Sequence, residues 1–297
     1  MIEKELPAIQ KNVSLAQYTT FKIGGKARYF FLSKSKIDLI KAISFAQKTK
    51  TPFFILGGGS NLLVSDKGYK GLVIKIQMPR ILKKRLGIIY AETGAKLADL
   101  VKISLKEGLA GLEWAAGIPG ATIGGAIYGN AGAFGKSMKD IIEKVEVLDL
   151  LNLKIKNFEN KDCKFGYRES VFKRNKNLIL LSATFKLKKG EKEEIKGLVE
   201  KYLKHRKTIQ PLNYPSAGSV FKNPTIKNKS LKAGELIEKC GLKGKRIGQA
   251  EVSEQHANFI VNLGGAKEKD VKKLINLIKR KVKSKFGIVL KEEMQFL

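Results

Sequence analysis

The sequence predicts an α+β protein of two or three domains. Three features carry that expectation. Helical and strand-like patterns are interspersed without strict alternation, which argues against a doubly wound parallel sheet. Hydrophobic residues make up 43% of 297, close to the globular average and enough to bury a core. Two glycine-rich loops interrupt the apolar runs in the first half of the chain.

Taken in order, the strand-like runs are Ala27–Leu32, Phe53–Leu56, Leu72–Ile76, Gly87–Glu92, Lys144–Asp149, Leu178–Leu187, Gly248–Val252 and Asn258–Leu263. Helical spacing covers Lys36–Lys48, Leu97–Glu107, Lys192–Lys204, Ala233–Lys239 and Lys269–Lys285. Ser35 is the expected N-cap of the first helix, with Asp38 three positions on. Gly108 and Gly241 stand where a left-handed C-terminal stop is needed. A charged helix leads into Gln210-Pro211, so a change of domain is expected around residues 191–211. The expected division is 1–190, in two parts meeting near residue 76, and 191–297.

Composition excludes several classes. Two cysteines, Cys163 and Cys240, provide no disulfide framework, and with only two histidines no zinc site is expected. The opening residues, Met1 to Pro7, carry two acids and no apolar run, so no secretory signal is read there and a reducing, cytoplasmic location is expected. The stretch Trp114–Gly135 has no formal charge and the length of a membrane span. It also holds Pro119, Asn130 and seven glycines, which disfavour a membrane helix. The net charge of +31 raises nucleic acid as a partner. The lysines, however, are spread almost evenly. In the densest run Val271, Leu274, Ile275, Ile278 and Val282 recur at helical spacing, which leaves the lysines on a solvated face. Nucleic acid is therefore not expected. A positive field still suits an anionic small molecule.

The first glycine loop is Gly57-Gly58-Gly59-Ser60-Asn61-Leu62, directly after an apolar strand. Glycines leave main-chain amides uncovered, so consecutive N–H groups can converge on a phosphate. A plain tight turn is the alternative, though it needs fewer glycines. The second loop runs from Ala116 to Ala133 and includes Gly117, Ile118, Gly120, Ala121, Thr122, Gly124 and Gly125. It fits neither the dinucleotide fingerprint nor a P-loop. An uncharged wall of this kind suits a large flat cofactor with a diphosphate; close strand packing is the alternative for some of its glycines.

The two loops in this order resemble the flavin-binding domain of the vanillyl-alcohol-oxidase type. Further segments narrow the resemblance to the UDP-N-acetylenolpyruvylglucosamine reductase (MurB) family. They are Tyr18–Gly25, Gly166-Tyr167-Arg168-Glu169-Ser170, Ser216–Pro224, Ala233–Glu238, Val252–Ile260 and the acidic tail. The resemblance covers the chain from near residue 18 to its end. It implies a smaller α+β substrate domain following the flavin domain.

The resemblance also implies chemistry: non-covalent FAD, reduced by NADPH, saturates the enolpyruvyl ether of a UDP-sugar, a step in making a peptidoglycan precursor. Hydride reaches the methylene carbon, and charge builds on the adjacent ether carbon and its carboxylate. By position, Arg168 would hold that carboxylate, Ser219 would donate the proton, and Glu293 would act near the enolate. Substrate contacts would fall to Tyr167, Lys222, Asn223, Gln255 and His256. Neither His205 nor His256 lies near a glycine loop, so no covalent flavin link is expected. The tail reads Leu290-Lys291-Glu292-Glu293-Met294 where the family has Leu-Glu-Pro-Glu-Val, and alignment selects Glu293 over Glu292. The second glycine loop is one residue longer than usual. The short interval from Arg168 to Ser219 places the chain with the shorter family type, which lacks a tyrosine-bearing loop. Other readings are a different FAD oxidase or dehydrogenase of the same fold, or a basic nucleic-acid-binding protein.

Overall fold

A computed structural model describes residues 5–227 and 229–297. The reading of Met1 to Pro7 as free of a signal falls partly on positions 1–4, which lie outside the described residues. In chain order the first elements are β1 (Gln10–Ser14), β2 (Lys26–Ser33), α1 (Lys36–Lys48), β3 (Phe53–Leu56), β4 (Leu62–Leu63) and β5 (Tyr69–Ile76). Next come β6 (Ile81–Arg85), β7 (Ile88–Glu92), α2 (Leu97–Lys106), α3 (Ile123–Tyr128), β8 (Ile142–Asp149), β9 (Lys154–Glu159), α4 (Val171–Arg174) and β10 (Leu178–Lys186). The last are α5 (Lys192–Ile209), β11 (Ser216–Ser219), α6 (Ala233–Lys239), β12 (Arg246–Ile247), β13 (Ala250–Val252), β14 (Phe259–Asn262), α7 (Glu268–Phe286) and β15 (Gln295–Phe296). The α+β class expected from the sequence holds.

The chain forms two compact units. One comprises the N-terminal stretch to Ile9 with residues 30–58 and 72–205; the other comprises residues 10–29, 59–71 and 206–297. Compactness thus groups two early segments with the C-terminal part, rather than following the linear division at 190/191. The reason is long-range pairing: β4 runs parallel to β15, with Leu62 opposite Gln295. Phe21, Ile23 and Leu63 are buried in the same core as α7.

In the first unit an antiparallel sheet has the order β9-β8-β10-β7-β6. Alternate residues Ile89 and Ala91, Val145 and Val147, and Ala183 and Phe185 are buried, the period of two expected of a half-buried sheet. Leu97, Leu100 and Val101 of α2 join them, as does Trp114, whose Nε1 donates to the Gly111 carbonyl at 3.0 Å. Ser35 caps α1 as expected, its Oγ accepting from the Asp38 N–H at 3.1 Å. Gly108, at φ +65°, follows α2. β3 lies parallel to β5, with Phe53 opposite Leu72. The uncharged stretch from Trp114 folds into a short turn, the six-residue α3 and a small hairpin. No described helix is long and apolar enough to cross a membrane. Cys163 is buried, and burial, with Asp162 and Glu159 nearby, pushes its thiol up to about 12, so it stays protonated and unreactive.

In the second unit the sheet order is β11-β14-β13-β12. Helix α7 buries Val271, Leu274, Ile275, Ile278 and Val282, the stripe read from the sequence, and leaves most of its lysines exposed. Gly241, at φ +67°, follows α6.

The stripe gives a direct test. Leu274 is fully buried while its neighbour Lys273 is exposed. Leu274→Ala is expected to lower unfolding free energy by about 2–5 kcal/mol. Lys273→Ala should change it by no more than about 0.5 kcal/mol. Urea denaturation of both variants makes the comparison.

Candidate active site

The first glycine loop leaves β3 and divides between the units after Gly58. Its first two glycines are required by the second loop. A Cβ on Gly58 would lie 1.9 Å from the Gly120 carbonyl oxygen, and one on Gly57 2.8 Å from Thr122 Oγ1. The Gly58 N–H donates to Thr122 Oγ1 at 3.2 Å. Lys75 on β5 donates to the Gly57 carbonyl, and its burial holds the ammonium below the usual lysine range. Close packing against the second loop, a reading the sequence raised only for that second loop, accounts for the absence of a side chain at Gly57 and Gly58.

Gly59 adopts φ +66°, and a Cβ there would lie 2.2 Å from the Tyr18 carbonyl oxygen. Within the second unit, the Asn61 side-chain amide donates to the Glu293 carbonyl at 3.1 Å, and the Asn61 carbonyl accepts from the Gln295 N–H at 3.0 Å. Leu62 is buried in β4. The cofactor role expected of Asn61 would thus belong to its main chain, since its side chain is engaged with the tail.

In the second loop Gly117 and Gly120 take φ +72° and +62°, making the turn ahead of α3. Thr122 is the N-cap of α3, its hydroxyl accepting from the Gly125 N–H at 3.4 Å. Gly124 donates to the Thr93 carbonyl at 2.9 Å, and a Cβ there would meet Thr93 Cβ at 2.8 Å. The Leu97 N–H donates to the Ala121 carbonyl at 3.0 Å. The loop is therefore pinned to the end of β7 and the start of α2. Among the described residues, the main-chain N–H groups of Gly59, Ser60, Asn61, Gly117, Gly120 and Ala121 donate to no protein acceptor. Gly59, Ser60 and Asn61 belong to the second unit and Gly117, Gly120 and Ala121 to the first; each set by itself offers glycine-flanked donors that suit a phosphate group.

Arg168 sits in a four-residue turn closed by Gly166 and Glu169, which exchange main-chain bonds of 3.0 and 3.2 Å. It adopts φ +56°, a region that disfavours a side chain of its size. Its guanidinium lies over the ring of Tyr167, 5.5 Å from the centroid. Tyr167 itself is exposed. Ser170, fully buried, caps α4 through the Lys173 N–H at 3.2 Å.

Ser219 and Glu293 come together on adjoining segments of the second unit. Ser219 on β11 lies opposite Phe259 of β14. On the other side Phe221 bridges to Glu292, the Glu293 N–H donates to the Val220 carbonyl at 2.8 Å, and the Lys222 N–H donates to the Lys291 carbonyl at 2.9 Å. The segment is clamped by buried Asn258. Its Oδ1 accepts from the Phe221 N–H at 3.0 Å and its Nδ2 donates to the Phe221 carbonyl at 2.9 Å. Glu292 is ion-paired to Lys279 of α7 at 2.9 Å.

The remaining expected contacts also have partners within the protein. Asn223 Oδ1 accepts from the Ala233 N–H at 3.0 Å and caps α6. Gln255 Nε2 donates to the carbonyls of Lys207 and Thr208, at 3.1 and 2.7 Å, closing the C-terminal end of α5. His256 Nδ1 accepts from the Asn258 N–H at 3.2 Å, and burial holds the ring below the usual histidine range. It is neutral near pH 7 and has Nε2–H to offer. His205 is exposed on α5, its ring edge-on to Phe134 at 5.5 Å. Among the described residues no three His, Cys, Asp or Glu side chains cluster as a metal site. Asn258 and Asn130 were not singled out as site residues in the sequence. The available signal was an asparagine within a largely apolar run, where an amide needs partners.

Comparisons with known proteins agree with this geometry. Residues 27–152 match the FAD binding domain family, spanning both glycine loops. Residues 210–297 match the C-terminal domain of UDP-N-acetylenolpyruvoylglucosamine reductase. A relative of that name from Caldicellulosiruptor bescii is 47% identical over 97% of this chain and 90% of its own. Another from Caldanaerobacter subterraneus is 46% identical over 96% and 92%. The crystal structure of the Thermus caldophilus enzyme superposes with a TM-score of 0.81 at 35% identity, covering 97% of this chain and 99% of that one. With both family models matched and relatives this similar along nearly the whole length, the chain belongs to the UDP-N-acetylenolpyruvoylglucosamine reductase (MurB) family of FAD-dependent oxidoreductases.

Proposed function

We propose that this chain reduces UDP-N-acetyl-3-O-(1-carboxyvinyl)-glucosamine to UDP-N-acetylmuramate at the expense of NADPH, a step towards peptidoglycan. The observation that supports this reading is the main-chain bond from Glu293 to Val220, which brings the Glu293 backbone beside the segment that follows Ser219. This reading puts the enzyme in the cytoplasm, where reduced pyridine nucleotide is supplied. The even spread of lysine supports an anionic small-molecule substrate rather than nucleic acid.

FAD would supply the hydride that reaches the methylene carbon of the enolpyruvyl ether; the uncovered amides of Gly117, Gly120 and Ala121 in the first unit, and of Gly59, Ser60 and Asn61 in the second, are each candidate donors to its phosphates. Charge then accumulates on the adjacent carbon and its carboxylate. Arg168 meets it with a planar guanidinium suited to two oxygens. Such hydrogen-bonded charge stabilisation is worth several kcal/mol in a site closed to water (about 3–4 for one donor). Ser219 donates its hydroxyl proton to that carbon. A serine is a weak acid, but a carbanionic carbon is a strong base, so the transfer proceeds if the alkoxide left behind is stabilised. Lys222, three residues along the same segment, supplies the compensating charge. Glu293 orients the enolate end. Its neighbour Glu292 is ion-paired to Lys279. His256, neutral and half-buried, would donate to the sugar nucleotide through Nε2.

Stopped-flow separates the roles. Wild-type protein should consume NADPH and reoxidise its flavin on the enolpyruvyl sugar nucleotide. Ser219→Ala should leave flavin reduction by NADPH normal and slow reoxidation by about 10²–10⁴, the worth of a general acid. Equal slowing of both half-reactions would mean that Ser219 shapes the site instead. In steady state Glu293→Gln should lose activity while Glu292→Gln retains it; the reverse result would transfer the role to Glu292.

A further inference from the structure

The short helix α3 has an end at each of two functional features of the first unit. At its N-terminus Thr122 caps the helix and accepts the Gly58 N–H of the first glycine loop. At its C-terminus two ties reach the turn that carries Arg168. The Tyr128 carbonyl accepts from Ser170 Oγ at 2.7 Å. Asn130, just past the C-cap Gly129, donates from Nδ2 to the Gly166 carbonyl at 2.8 Å. Its Oδ1 accepts from the Lys139 N–H at 3.0 Å. A carbonyl requires a donor and an N–H requires an acceptor, so the partners fix which way the amide points. Lys173 Nζ adds a bond of 2.9 Å to the Arg168 carbonyl.

Asn130 is 4% exposed and adopts φ +41°. Asparagine tolerates that conformation, so a helix stop would be the bland account of it. The second feature is what distinguishes it. Only a side chain that donates and accepts at once can satisfy Gly166 and Lys139 together, and Ser170 makes an independent tie from the other side of the same turn. The Arg168 backbone is itself in a left-handed conformation, which persists only when its surroundings hold it.

We infer that Asn130 and Ser170 are positioning residues for Arg168, fixing its turn to the helix whose opposite end caps the cofactor loop. The inference rests on the proposed role of Arg168. Misplacing a group that must meet a developing carboxylate charge costs rate in the substrate step and leaves hydride entry untouched.

The test uses Asn130→Gly, which accepts the left-handed backbone but has no amide, with Ser170→Ala breaking the second tie and Arg168→Lys in parallel. Each purified holoenzyme is followed by its flavin spectrum, its thermal midpoint and the two half-reactions. For Asn130→Gly and Ser170→Ala we expect wild-type flavin content and normal reduction by NADPH. Reoxidation by saturating enolpyruvyl substrate should be slower by about 10- to 100-fold. If Arg168→Lys is slow in reoxidation while both other variants are normal, the inference is overturned and the reading of Arg168 stands. If Arg168→Lys is itself normal, that reading falls and this inference with it. Loss of flavin or equal slowing of both half-reactions in the two variants would make them general structural residues and would also overturn it.

Discussion

The rest of the first unit depends on two stretches of main chain coming closer than any side chain allows. Gly58 lies so near Gly120 that an added Cβ would sit 1.9 Å from the carbonyl oxygen. That approach lets the Gly58 N–H reach the Thr122 hydroxyl, and the same hydroxyl caps α3. One oxygen therefore joins the first glycine loop to the helix within the second. The far end of α3 then meets the Arg168 turn through Ser170 and Asn130. One short run of hydrogen bonds therefore links the first glycine loop to the Arg168 turn, each bond worth about 1 kcal/mol net but costly to leave unmade once buried.

The second unit solves a related problem with a buried amide. Asn258 bonds both main-chain groups of Phe221, and the C-terminal segment pairs on the opposite side. The serine-bearing strand is held from both edges, and the side-chain amide of Asn61 anchors the tail by the Glu293 carbonyl. Glu293 is placed by main-chain bonds to two partners distant in sequence. Rigid backbone placement of this kind suits the proton transfer proposed for Ser219.

Much of this was legible in the sequence where periodicity was strong. The apolar stripe of α7 and the bounds of α1, α6 and β3 follow directly from spacing and caps. Helix α3 was not legible, because Gly124-Gly125 reads as loop; packing of Gly124 against Thr93 outweighs its poor propensity. Strands β6 and β9 were missed for a different reason. As edge strands rich in exposed lysine, they carry little alternation, and charge on an edge guards against unwanted pairing. Helix α5 runs to Ile209, five residues beyond the expected end, since nothing breaks it before Pro211. Asn223 and Gln255 have structural partners that no motif showed. Both were assigned to substrate, and both have side chains closing helix ends. For Gln255 the partners lie nearly fifty residues away, beyond any local pattern.

The central claim is that main-chain contact between the two glycine loops creates the flavin site, and Gly58→Ala tests it most directly. The measurement is FAD affinity by titration of the apoprotein, alongside flavin absorbance as purified. A displaced loop losing one or two charge-assisted bonds predicts binding weaker by about 10- to 100-fold or more, with cooperative unfolding retained. A Gly58→Ala protein that carries a full complement of FAD at wild-type affinity would contradict the account.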